Sequence, residues 1–132
     1  MTPVATELPP TLIAFLRRSI PTLEAAEILL FFAAHPEEAF TAEELVVAIR
    51  PKVVTVPAVR EYASLFVASE LIIERDGRFQ YGPGGPDRER MIGELSRGYN
   101  ERPVTLITAI YKIADSKLQS FSDSFDLRED KS

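Results

Sequence analysis

Apolar positions along the chain recur mostly at helical spacing, and one short stretch alternates instead. In "PPTLIAFLRRSI" the residues Leu12, Ile13 and Leu16 share one face, which predicts a short first helix ended by Pro21. That helix is expected to cover the core. Thr22 is the expected N-cap of "LEAAEILLFFAA", with Glu24 in its first turn. This second run is apolar almost all round, so it is expected at the buried centre. "FTAEEL" contains a capping box, Thr41 with Glu44, and Phe40 and Leu45 occupy the staple positions around it. The helix it starts must end before Pro51. A further helix is expected from Thr55 or Val56, with Pro57 in its first turn and Val59, Tyr62, Ala63 and Phe66 on one face.

The alternating stretch is "LIIERDGRFQYGP", Leu71 to Pro83. It predicts a β-hairpin turning at Asp76-Gly77, a strong short turn signal. A strand from "PKVVT" is expected to pair with it. The turn-rich "GPGGPD" follows. It lacks the Lys-Ser/Thr of a phosphate-binding loop, so it is expected to lead out of the hairpin, with Asp87 capping the next helix. That helix, "RERMIGELSRGYNER", places Ile92, Leu95 and Tyr99 on one side. Beyond Pro103, the residues Val104, Ile107, Tyr111, Ala114, Leu118, Phe121 and Phe125 keep a three-four spacing, which is a heptad seam. Leu106, Ile110 and Ile113 form a second stripe beside it. A break at Asp115 stays open, and the charged tail "LREDKS" is expected to fray.

Three helices, the second and third joined by a short turn, and then a hairpin: this order resembles the winged-helix domain of bacterial regulators. The resemblance spans about Thr22 to Pro83 and rests on the helix caps, the helix–turn–helix spacing and "SELIIERDGRFQYGP". It implies an α+β, mostly helical fold: a winged helix with a two- or three-stranded small sheet and a C-terminal helical extension. The corresponding division is an N-terminal arm over 1–21, a winged helix over 22–86, and a helical interaction or dimerisation region over 87–132. The resemblance also implies a dimeric transcriptional regulator with double-stranded DNA as partner. Arg50 and Lys52 at the turn, Arg60 and Ser64 on the third helix, and Arg78 at the wing tip are then the expected DNA contacts.

Composition narrows the chemistry. The chain has 132 residues, enough for one domain with a core, and no cysteine. Its one histidine, His35, follows an apolar helix and is expected to cap the carbonyls there rather than catalyse. The carboxylate pairs Glu37-Glu38 and Glu43-Glu44 are adjacent on the chain and diverge on a helix. No catalytic residue, metal site or cofactor is expected. "FLRRSIP" faintly resembles a twin-arginine signal, but Glu24 and Glu27 interrupt the apolar run that follows, and the run is too short to span a bilayer. A cytoplasmic protein without membrane contact is expected.

Charge works against the DNA reading. The net charge is -5, and residues 22–86 hold five basic against ten acidic side chains. That is a poor footprint for a polyanion. The acidic residues are expected on helices facing away, leaving a small basic face, although Glu61 partly cancels Arg60. The alternative is therefore a winged-helix protein-interaction module that does not bind DNA. In that alternative the fold and the C-terminal helix hold partner proteins; the seam itself predicts a homodimer built on Val104, Ile107, Tyr111, Leu118, Phe121 and Phe125. A monomer is the competing arrangement, with Phe121 and Phe125 folded back over the first helix near Phe15.

Overall fold

The structure, a computed structural model, describes residues 8–130, with side chains through residue 119. Its elements are α1 (Pro10–Ser19), α2 (Leu23–Ala34), β1 (Ala39–Phe40), α3 (Ala42–Ala48), α4 (Val56–Ala68), β2 (Ile72–Arg75), β3 (Arg78–Tyr81), α5 (Pro86–Glu101) and α6 (Pro103–Asp130). The fold is α+β and mostly helical, with one small antiparallel sheet and two C-terminal helices.

Threonine hydroxyls start three of the helices. Thr22, Thr41 and Thr55 each accept from the backbone N–H three residues on, at 3.0, 3.1 and 3.2 Å. At Thr41 the Glu44 carboxylate returns the bond to the Thr41 N–H at 3.0 Å, completing the capping box. Its staple residues Phe40 and Leu45 are both buried. His35 closes α2 as expected. It is the C-cap, its Nδ1 lies 3.0 Å from the Phe31 carbonyl oxygen, and its ring lies against that of Phe31 at 4.3 Å.

α2 lies at the centre. Ala25, Ala26, Ile28, Leu29 and Phe32 are buried, and the helix touches α4, α5, α6 and β3. α1 packs against α5 and α6 through Leu12, Phe15 and Leu16. One cluster of buried side chains runs through all of these elements, from Leu12 to Ile113. Burial of such aliphatic and aromatic groups drives the assembly at roughly 25 cal/mol per Å² of apolar surface removed from water.

The sheet order is β1-β3-β2. The hairpin turns at Asp76 (φ 56) and Gly77 (φ 78), both left-handed as a two-residue primed turn requires. Its register pairs Ile72 with Tyr81 and Arg75 with Arg78. The third strand is not drawn from "PKVVT". Residues 51–55 form no strand, and Ala39–Phe40 pairs with Phe79 and Gln80 instead. The reason is position: Phe40 is drawn beside Phe79 into the core as the staple of α3, while Val53 points into solvent.

One other boundary differs from the sequence reading, and one that it left open is settled. Gly85 (φ 113), not Asp87, is the N-cap of α5, and Pro86 takes the first helical position. Asp87 instead pairs with Arg90 one turn on, at 2.7 Å. α6 does not break at Asp115 but continues to Asp130. Aspartate disfavours a helix interior only mildly, and Asp115 is exposed, so nothing forces an interruption.

α4 ends in a Schellman motif. The Leu71 N–H donates to the Phe66 carbonyl at 2.9 Å, and the Glu70 N–H donates to the Val67 carbonyl at 3.0 Å. Glu70 therefore takes the left-handed position, φ 62, usually filled by glycine. Arg88 clamps this corner to α5. Its Nε donates to the Ser69 carbonyl at 3.0 Å and its Nη1 to the Gly84 carbonyl at 2.8 Å.

Candidate functional site

The exposed side of α4, the α3–α4 turn and the hairpin form one face. Arg50, Lys52, Arg60, Ser64 and Arg78 all lie on its exposed surface. Their surroundings differ from the sequence reading. Glu43 and Glu44 do not face away. They stand on the first turn of α3, opposite α4 and the hairpin. The Arg60 guanidinium meets Glu43 at 2.7 Å. Arg78 makes a forked contact with both Glu44 oxygens, at 2.7 and 3.2 Å, and also donates to the Ala39 carbonyl at 3.3 Å. The hydrogen bond from the Thr41 N–H, then that from Arg78, hold the Glu44 carboxyl below the usual carboxylate range.

Lys52 turns inward. Its ammonium meets the half-buried Glu27 of α2 at 3.0 Å, and the Tyr99 hydroxyl of α5 donates to the same carboxylate at 2.8 Å. The bond to Glu27 raises the Lys52 pKa. Burial first, and then the Glu27 bond, raise that of Tyr99. Lys52 is therefore a strut between the α3–α4 turn and the core helices. Of the five expected contacts, only Arg50 and Ser64 have side chains without a polar partner among the described residues.

The face also holds groups that sequence reasoning passed over. Val53 at the turn is 90% exposed and Val47 on α3 is 56% exposed. The Arg75 guanidinium, beside the hairpin turn, has no partner among the described residues. The placement of Glu43 and Glu44 on this face is the most consequential difference from the sequence reading. No periodicity links them to Arg60 and Arg78, which lie 17 and 34 residues away, so only the tertiary fold brings them together.

α6 sorts its two stripes. Leu106, Ile110 and Ile113 are buried against the body. The heptad seam faces outward: Val104 is 76% exposed, Tyr111 60% and Leu118 66%, with Ile107 half-buried. The side chains of Phe121 and Phe125 lie outside the described residues. Lys117 donates to the Arg17 carbonyl at 2.6 Å, tying α6 to the end of α1.

Among the described residues, no group of three or more His, Cys, Asp or Glu side chains is placed to hold a metal ion. No helix among them is long and apolar enough to cross a membrane. No family model, curated protein or solved structure matches the chain.

Proposed function

We propose that the chain is a non-enzymatic regulatory protein built as a winged helix, pairing with a second copy through α6 and docking a protein on its α3–α4–hairpin face. One observation carries the choice of protein over duplex: the carboxylates of Glu43 and Glu44 stand among the cations that a phosphate backbone would need. A duplex approaching Arg60 and Arg78 meets Glu43 and Glu44 already paired with them, at 2.7 Å each. Mixed charge with protruding valines at Val47 and Val53 suits a protein surface. Counterion release, the main source of non-specific DNA affinity, needs a net positive face.

The DNA-binding reading has one observation in its favour. The Arg60–Glu43 and Arg78–Glu44 pairs are solvent-exposed. Such pairs contribute only about 0–1 kcal/mol, so either arginine can exchange its carboxylate for a phosphate.

Fluorescence anisotropy with a mixed-sequence duplex, at low and at physiological salt, separates the two. The protein-docking reading expects no saturable binding at either salt. Saturable binding that weakens steeply with salt overturns it in favour of DNA. In that case Arg60→Ala should cost about 1–3 kcal/mol of sequence discrimination, and Arg78→Ala should weaken all sequences alike.

A further inference from the structure

A cleft of about 270 Å³ opens where the end of α1, the end of α4 and the start of α5 converge, lined by Phe15, Arg18, Ser19, Leu71, Arg88 and Met91. We propose that it binds a small monovalent organic anion, a carboxylate with an apolar body.

Ser19 supplies the first reason. It is the one buried polar or charged residue among those described, 3% exposed. Its hydroxyl has no hydrogen-bond partner among the described residues. No side-chain oxygen among the described residues is shut away from solvent without a partner, so the Ser19 hydroxyl opens onto the cleft rather than into the core. Ser19 lines the cleft, so a ligand oxygen there would supply the missing bond.

The second reason is the set of donors around it. The Arg18 guanidinium has no partner among the described residues. Arg88 is held by the Ser69 and Gly84 carbonyls through Nε and Nη1, with Nη2 in no such bond. The first turn of α5 adds backbone donors, because its N-cap Gly85 has no side chain to accept from them. A planar carboxylate suits guanidinium donors well.

The wall and the local charge restrict the ligand further. Phe15 and Leu71 are deeply buried, and Met91 is half-buried beside them. An inorganic ion would leave that apolar wall unused. The Asp87 carboxylate also lines the cleft, already paired with Arg90 at 2.7 Å. It disfavours a doubly charged phosphate more than a single carboxylate. The volume suits a body of a few carbons, at the small end of ligand pockets.

Hexanoate is the probe, titrated into the full chain and followed by calorimetry and by amide NMR shifts. The expected result is saturable binding with Kd of about 1 mM or tighter, with the largest shifts near Ser19, Leu71 and Arg88. Parallel titrations with inorganic phosphate and with hexanol should each bind at least roughly tenfold more weakly, since each lacks one half of the recognition. Arg18→Ala should weaken hexanoate by roughly tenfold with the unfolding midpoint unchanged. Ser19→Ala should weaken binding without lowering stability, because the hydroxyl has no partner to lose. No saturable shifts with hexanoate, undiminished binding by Arg18→Ala, or phosphate binding as tightly as hexanoate would each overturn the proposal. None of these outcomes bears on whether a duplex or a protein docks at the α3–α4–hairpin face.

Discussion

Glu70 holds a left-handed backbone at φ 62 to let α4 stop and the hairpin begin. A side chain there costs energy that glycine avoids. The carboxylate recovers little, since it is largely exposed and 3.8 Å from Arg88. Glu70→Gly should therefore raise the unfolding free energy by about 0.5–1 kcal/mol, measured by urea denaturation. A loss instead would mean that the Arg88 contact outweighs the backbone strain. At this scale the sequence was legible only where a residue acts on its near neighbours. The hydroxyls of Thr22, Thr41 and Thr55 and the imidazole of His35 act within four positions and were readable. The Arg60, Arg78 and Lys52 pairings join residues on separate elements, and the partnerless Ser19 follows from how α1 meets α4 and α5. No local pattern encodes either.

α3 is a helix of only seven residues, and its first turn carries more than its own cap. Glu44 accepts from the Thr41 N–H and also binds Arg78 of β3, so one carboxylate fixes the helix start and joins it to the sheet. Its folded pKa lies below the unfolded value. Ionised Glu44 thus contributes stability that is fully present above the unfolded pKa of about 4.3 and is lost as pH falls through the lower folded value. Glu44→Gln keeps a capping oxygen but removes the charge. Urea midpoints of wild type and Glu44→Gln should differ at neutral pH and converge as the pH falls through the lowered folded pKa, with the neutral gap narrowing in high salt. A gap that persists in acid would place the effect in the cap alone. Elements with strong local signals, the capped helices and the Asp76-Gly77 hairpin, were legible in the sequence. β1 was not, because two residues are too few to show an alternation. "PKVVT" was misleading for a different reason: its β-branched residues fit a strand, but residues 51–55 are taken up by the connection from α3 to α4.

For the whole molecule, the decisive feature is a 28-residue helix with one stripe buried and another left in water. At 1.5 Å per residue it is about 42 Å long. Exposed side chains such as Tyr111 and Leu118 each forgo about 1.5–3 kcal/mol that burial would return. Pairing two copies along this seam recovers it. Analytical ultracentrifugation should give a dimer for the wild type. Tyr111→Glu and Leu118→Glu should give folded monomers by circular dichroism, whereas Ile113→Glu on the buried stripe should unfold the chain. A folded wild-type monomer at high micromolar concentration would refute the pairing. The sequence showed both stripes but not which one the body claims, because the choice depends on where α1, α2 and α5 stand.

The bond from Lys117 to the Arg17 carbonyl spans 100 positions of the chain. α1 leaves the ribosome well before α5 and α6, yet its apolar face, Leu12, Phe15 and Leu16, finds much of its cover on those two later helices. During synthesis that face stays open to chaperones until the final third of the chain is out. A premature stop before Pro103 would therefore leave a sticky N-terminal helix as well as a missing C-terminal one, marking the fragment for proteolysis.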